Sequence, residues 1–484
     1  MNGQIRHSQM LIDGQMVASE SGEWLASDNP ANEEIIGYSA AATAADVHKA
    51  VAAAERAQPA WAAMDPNARG KLVRQVAQAL RARADEVLKL EVQDTGNTIT
   101  KMKGDVEHAA HAMEFFAGLG TEIKGETIPA SSENLHITVR EPYGVVGRIV
   151  PFNHPIKFAA HAIAAPLMAG NSVVLKPPEQ SPLSAEILGE ICRDILPRGV
   201  VNIVTGNGMP TGDAIVRHPV IKRIAFTGSV PTGMAIQRAA AETGIKAITL
   251  ELGGKNPLIA FPDMDPDKIA EVAVNAMNFA WSGQSCGSTS RLLVHESLHA
   301  AVLKRVVERV AELRLGDPLD PNSQMGPLNS RRHYERVCSM VQSGLNEGAT
   351  LKHGGKRPLG KQFEKGYWLE PTVFSDVNSK MYIGREEIFG PVLSVFSWRD
   401  EAEALAIANS TEYGLTASIW TNDIKTALRM ARNVKSGYVW INGASSHFYG
   451  TPFGGFKNSG LGREEGLEEL LGYTETKSIH MKLA

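Results

Sequence analysis

Five short runs rich in Val and Ile, at residues 145–150, 172–176, 200–204, 223–226 and 248–252, start 27, 28, 23 and 25 residues apart. That interval holds one strand, one helix and two turns, and two helical stretches fall inside it, at 184–195 and 232–243. Runs that are apolar throughout, rather than alternating, suit parallel strands covered on both faces. The spacing therefore predicts a doubly wound α/β sheet. Two amphipathic patterns, 44–63 and 68–95, precede it as predicted helices.

A second α/β series begins near Asn256. It has predicted helices at 265–279 and 298–313 and strands at 291–295, 392–398, 416–420 and 438–442. At 484 residues the chain exceeds what one core holds. The expected fold class is thus two doubly wound α/β domains plus a small β arm. The first domain takes 1–120 and 142–252, and the second takes 253–469. The Gly-rich stretch 443–466 reads as an ordered loop, because Phe448, Tyr449, Phe453 and Phe456 interrupt it. Segments 121–141 and 470–484 fit neither domain and read as extended arms, which commonly pair with a sheet edge of another subunit.

Composition excludes several classes. Apolar residues make up 43% and charged residues 21%, with a net charge of −4, so no basic surface is expected for nucleic acid or an anionic membrane. The longest apolar stretch, 158–170, is interrupted by His161 and falls short of the ~20 residues of a membrane span. The N-terminus carries no apolar signal core. Three cysteines cannot form a disulfide framework, so a reducing, cytoplasmic setting with free thiols is expected. No metal site is expected.

Two glycine motifs miss the common phosphate fingerprints. The run from Gly206 through Gly208 has Thr211 in place of the third glycine, and Gly228 to Gly233 is followed by Met234 where a P-loop has lysine. Ser229 can cap the helix that follows and Pro231 suits its first turn, so free N–H groups there can attract a pyrophosphate; an ordinary capped turn fits the same residues. Lys176 and Glu179 flank two prolines at a strand end, placed either to hold a ribose or to lie in solvent. Cys286 lies in a Gly/Ser loop, where a nearby dipole or cofactor can lower a thiol pKa, although a lone cysteine is equally compatible with packing. Cys192 and Cys338 fall in helical patterns and read as inert. Glu251 interrupts an apolar strand end, a costly position without a function. Asn153, between Pro151 and Pro155, has an amide suited to an oxyanion hole or to a turn.

Together the segments PFNHP (151–155), KPPE (176–179), FTGS (226–229), LELGGK (250–255), GQSC (283–286), EEIFGPV (386–392) and PFGGFKNSG (452–460) resemble the aldehyde dehydrogenase family, in order and along essentially the whole chain. The resemblance implies Cys286 as nucleophile, Glu251 as general base, and an oxyanion hole from the Asn153 side chain and the Cys286 backbone N–H. It implies NAD as cofactor, with NADP disfavoured by Glu179. Val150, Pro151, Phe152, Lys176, Glu179, Gly208, Gly212, Gly228, Ser229 and Leu252 would line its path, and Glu387 and Phe389 its nicotinamide end.

The same resemblance makes the arms oligomerisation strands of a homodimer or homotetramer. It lines an aldehyde pocket with His108, His154, His161, Trp281, Ser285, His447 and Phe453. Three departures stand out: Phe152 where the family usually has Trp, Ser285 where a larger residue is frequent, and His154 where an aromatic is common. Family members acting on betaine aldehyde build an aromatic box for the cation. Histidines in that box imply instead an aromatic or polar-substituted aldehyde. Two other readings compete: a CoA-acylating enzyme, against which Glu251 argues, and a silent binding homologue, against which Cys286, Glu251 and Asn153 argue together.

Overall fold

In the computed structural model, which describes residues 5–483, the five Val/Ile runs form the centre of an eight-stranded sheet. Strands Val145–Ile149, Ser172–Lys176, Val201–Ile203, Arg223–Thr227 and Ala247–Glu251 are mutually parallel. Their spatial order is fifth, fourth, first, second, third. Chain order therefore reverses between Val145–Ile149 and Arg223–Thr227, the point where open α/β sheets take ligands beyond their carboxyl ends.

Both faces are covered, which explains the unbroken apolar runs. Val146, Val173, Leu175 and Ile203 point into one core, against helices Pro66–Ala82, Asp105–Gly118, Pro155–Met168 and Ser184–Ile195. Their strand neighbours Val145, Val174, Val204 and Ile224 point into the other, against Ala44–Ala63 and Val230–Ala241. The alternation is the two-residue period of a strand, with an apolar layer on each side. Strands Met10–Ile12 and Gln15–Val17 extend one edge.

The second series forms a seven-stranded sheet in the order Thr350–His353, Thr372–Ser375, Val392–Trp398, Arg291–His295, Pro257–Ala260, Thr416–Trp420, Tyr438–Ile441. All its pairings are parallel except that of the edge strand Thr350–His353. Helix Arg331–Asn346 packs Val337, Met340 and Val341 into its core.

Two expectations need correction. The predicted helix 68–95 is two helices, Pro66–Ala82 and Ala84–Thr95, broken at Arg83, whose ψ of 16° departs from the helix and whose guanidinium pairs with Glu86 and Glu190. Residues 470–473 belong to the first core rather than to an arm, because Leu470 and Tyr473 are fully buried there. The apolar stretch 158–170 is the greater part of the buried 14-residue helix Pro155–Met168. Among the described residues no helix is long and apolar enough to cross a membrane.

The remaining parts of the two orphan segments pair with each other. Asn134–Pro142 and Thr474–Lys482 form an antiparallel ladder nine residues long, and Thr127–Ile128 adds a third strand. Residues 1–4 of the expected first domain and residue 484 of the expected arm lie outside the described residues. Strand Gly460–Leu461, from the Gly-rich stretch, pairs with Ala247–Glu251 at the first sheet's edge. That pairing carries the loop of the second series to the carboxyl end of the first sheet.

Candidate functional site

Cys286 lies between the short turn Phe279–Trp281 and strand Arg291–His295. Its loop is fixed from several sides. The Ser282 hydroxyl donates to Gly326 O (2.8 Å), and Gln284 Oε1 accepts from the Asn329 N–H (2.9 Å). Asn256 Nδ2 donates to both Cys286 O (2.6 Å) and Ser288 O (2.9 Å). Gly283 has φ 67°, and a Cβ there would sit 2.1 Å from Gly390 O, so close approach and backbone conformation both demand glycine. The thiol packs against the cluster of Leu415, Tyr438, Trp440 and Phe453.

Burial, and then the nearby Glu251, push the Cys286 thiol well above its ordinary pKa, while Lys157 opposes them. The protein's own acidic neighbours and desolvation thus favour the neutral thiol. Cys192 is buried and Cys338 is half-buried on helix Arg331–Asn346.

Glu251 ends its strand at 3% exposure, and its Oε1 is buried without a partner. Desolvation, then Glu464 and Glu465, raise its pKa well above the carboxylate range. Asn153 is held by Asn97, whose Nδ2 donates to Asn153 O (2.9 Å). Its own Nδ2 donates to Gln284 O (3.0 Å), two residues before the nucleophile, and its Oδ1 is buried without a partner. The three sequence-predicted groups thus converge on one loop from three elements.

The predicted cofactor residues gather at the carboxyl ends of the first sheet. Lys176 Nζ contacts Glu179 Oε2 (3.3 Å) and donates to Pro177 O (3.0 Å). A Cβ on Gly212 would lie 3.7 Å from the Lys176 side chain, which places Gly212 beside it; a Cβ on Gly208 would meet open space. Val150 N–H donates to Lys176 O (3.2 Å), and Phe152 O accepts from the Ser181 hydroxyl (2.9 Å). Pro151 joins these two.

Ser229 caps helix Val230–Ala241, accepting from Thr232 N–H, with Pro231 in the first turn. The Gly228 N–H, just before this helix start, donates to Glu251 O (3.0 Å). A Cβ on Gly228 would strike the Phe226 ring at 2.4 Å. Leu252 N–H donates to Ser459 O (2.9 Å). Glu387 is half-buried, its pKa raised to about 7 by desolvation, and its Oε1 accepts from Gly254 N–H (2.9 Å). A Cβ on Gly253 would lie 2.0 Å from the same carboxylate, so Gly253 is what admits it, while a Cβ on Gly254 would meet Asn256 Oδ1 (2.5 Å) and Cys286 O (2.9 Å).

Two supporting residues escape sequence reasoning. His333 Nε2 donates to Phe389 O (2.6 Å) and holds Phe389 at φ 54°, while burial pushes its pKa down to about 4. The rings of Phe152, His333 and Phe389 meet edge-on with centroids 5.7–5.9 Å apart. Arg336 donates to Glu387 O and Ile388 O, both at 2.8 Å. Both residues come from helix Arg331–Asn346, where basic residues carry no motif.

A dinucleotide fits this crevice. Glycines give space at the strand ends, the Lys176–Glu179 pair offers a donor and an acceptor suited to ribose hydroxyls, and a capped helix start faces the same side.

The pocket residues divide. His154 is buried, bonded to Asp105 Oδ2 (2.7 Å), and meets Trp281 edge-on at 5.0 Å. Ser285 adjoins the nucleophile in the loop, half-buried. Phe453 packs with Cys286, and His447 lies 4.6 Å from its ring while pairing with Glu465 (3.0 Å). His161 is set apart: it bonds Glu469 Oε2 (3.0 Å) and sits among Phe116 and Tyr449. His108 is exposed on helix Asp105–Gly118. Lys157, Phe158, Tyr438 and Trp440 complete the walls and were not foreseen.

The model of the aldehyde dehydrogenase family matches residues 16–479. Aldehyde dehydrogenase tropH of Talaromyces stipitatus is 44% identical, over 99% of this chain and 94% of its own. The structure of an NAD-dependent aldehyde dehydrogenase from Sinorhizobium meliloti superposes with a TM-score of 0.95 at 38% identity, covering 99% of this chain and 95% of that one. An aldehyde dehydrogenase from Bacillus cereus in its NAD⁺ complex superposes with a TM-score of 0.96 at 38% identity, covering 99% and 97%.

Proposed function

The chain belongs to the aldehyde dehydrogenase family, and from that premise we propose that it oxidises an aldehyde to the carboxylic acid with NAD through a thioester on Cys286. The observation that carries this reading is the convergence on one fixed loop of a thiol, a buried carboxyl without a partner and a buried amide.

The Cys286 thiol loses its proton to solvent, and the thiolate adds to the aldehyde carbon to form a hemithioacetal. The oxyanion that develops is stabilised by the second N–H of the Asn153 amide, whose other N–H is held by Gln284 O, and by the Cys286 N–H. NAD, when bound, supplies the hydride acceptor. The hemithioacetal carbon loses hydride and becomes the thioester carbon. Glu251, whose raised pKa makes it a stronger base than an ordinary carboxylate, takes a proton from water. The resulting hydroxide adds to the thioester and expels the Cys286 sulfur. In sum, aldehyde, NAD⁺ and water give carboxylate, NADH and two protons.

Glu179 favours NAD over NADP, because a carboxylate beside the ribose repels a 2′-phosphate. The histidine-containing pocket suits an aromatic or polar-substituted aldehyde, with the flat walls of Trp281, Phe158 and Phe453 on either side. Segments 121–141 and 470–484, whose strands pair at 134–142 and 474–482, suit assembly into a homodimer or homotetramer, and free cysteines suit the cytoplasm. The test is NADH formation from a substituted benzaldehyde and NAD with no CoA present. The reading expects full turnover. NADH only on addition of CoA would replace it with the acylating reading, and no NADH under either condition would overturn it.

A further inference from the structure

Lys157 stands in the third position of the 14-residue helix that follows the Asn153 loop. A cation is out of place there. The aligned peptide dipoles make a helix start positive, and acidic side chains are favoured in a first turn. Helix Pro155–Met168 has none in its first turn, and among the described residues no carboxylate lies within salt-bridge distance of Lys157. Local consistency of this kind is broken mainly at functional sites.

The neighbouring cationic groups are all accounted for. His154 is paired with Asp105, His161 with Glu469 and His447 with Glu465. His108, exposed on the neighbouring helix, is held toward its neutral form by partial desolvation and then by the charge of Lys157. Among the described residues Lys157 is thus a positive charge with no salt-bridge partner, and Glu465, whose carboxylate feels its field, is bonded to His447. Its ammonium lies 5.9 Å from the Phe158 ring; Phe158 meets His154 at 6.1 Å, and His154 meets Trp281.

A second observation points the same way: the Trp281 indole N–H is buried and has no acceptor. Lys157 and Trp281, linked through Phe158 and His154, thus bring to the side of the nucleophile loop an ammonium and an N–H donor that have no partner among the described residues. The contacts from Lys157 through Phe158 and His154 end on Trp281, whose carbonyl accepts from the Gln284 N–H (2.9 Å) in the loop that carries Cys286, and the field of Lys157 on the thiol and on Glu465 agrees with that placement.

Resting on the reading that Cys286 oxidises an aldehyde, we propose that the natural substrate carries a carboxylate remote from its carbonyl, and that Lys157 determines specificity by binding it. The product is then a dicarboxylate. A reaction that makes such an oxo-acid, by cleaving a ring or by oxidising a hydroxy acid at its far end, must supply it.

The test compares para-carboxybenzaldehyde with its uncharged amide analogue, which has nearly the same shape, by the ratio of kcat/KM. The unmutated enzyme should favour the carboxylate. Lys157→Met should lower that preference about 10- to 100-fold, the usual range for a hydrogen bond to a charged group, and Lys157→Arg should keep most of it. Lys157→Glu should reverse it. Equal activity of the unmutated enzyme on both aldehydes would overturn the proposal while leaving the catalytic reading intact. So would an equal fall on both in Lys157→Met, which is what loss of a field on the thiol would produce. No NADH from either aldehyde with the unmutated enzyme would overturn the catalytic reading and the proposal with it.

Discussion

The crevice treats its polar groups differently at its two ends. On the cofactor side, Lys176 is bound to Glu179, Glu387 accepts from Gly254, and the Gly228 N–H is spent on a backbone carbonyl. Around Cys286, Asn153 Oδ1, Glu251 Oε1 and Trp281 Nε1 are buried with no partner. Each such orphan costs roughly 1–3 kcal/mol relative to a satisfied group. The satisfied end behaves as a receptor complete before its ligand arrives. The unsatisfied end stores its polar capacity for atoms that come with the reaction, an arrangement expected where charge develops and must be met without reorganisation.

The contrast can be broken by removing one group from each end. Cys286→Ala should lower turnover by ~10²–10⁴-fold or more while NAD binding, followed by fluorescence quenching, stays intact, since nothing on the satisfied side touches the thiol. Retention of more than about 1% of the rate would show that the orphans around Cys286 do not mark the chemistry. A smaller effect is expected at the other end. Glu179→Ala should leave aldehyde oxidation in place and narrow the preference for NAD over NADP by about tenfold, with Lys176 released to pair with a phosphate. An unchanged cofactor ratio would mean that Glu179 is not a ribose ligand.

Much of the architecture was legible because the chain's periods are clean. Helices Ala44–Ala63 and Ser184–Ile195 and strands Arg291–His295, Val392–Trp398 and Thr416–Trp420 fall at the boundaries that pattern and turn residues predict. Strand Pro257–Ala260 was hidden by its four-residue length, and helix Arg331–Asn346 by its Arg, Glu, Ser and Gln content, with few apolar residues on its buried side. Among site residues, Cys286, Glu251 and Asn153 stood out because each is an expensive or unusual choice where it sits.

His333 and Arg336 are ordinary surface-type residues until folding brings the 387–389 backbone against them. Lys157 is invisible for the opposite reason. Its meaning lies in partners it lacks, and an absence of partners exists only in three dimensions. The surroundings of Cys286 likewise emerge only on folding: Tyr438, Trp440 and Phe453 pack against a half-buried thiol, and desolvation and then Glu251 raise its pKa.

The central claim is that Glu251 serves hydrolysis of a thioester on Cys286. Burial and Glu464 and Glu465 raise its pKa, so the carboxylate form needed as base is lost as pH falls through a value above the usual carboxylate range. Thioester hydrolysis in the unmutated enzyme should therefore rise with pH through that point, and Glu251→Gln should abolish the rise. The most direct measurement mixes Glu251→Gln with aldehyde and NAD, quenches it in acid, and weighs the intact protein while following NADH. The account predicts a rapid burst of about one NADH per site and the mass of one acyl group, mapped to Cys286. A slow, burst-free rise of NADH with unmodified protein would contradict it and move Glu251 to a step before hydride transfer.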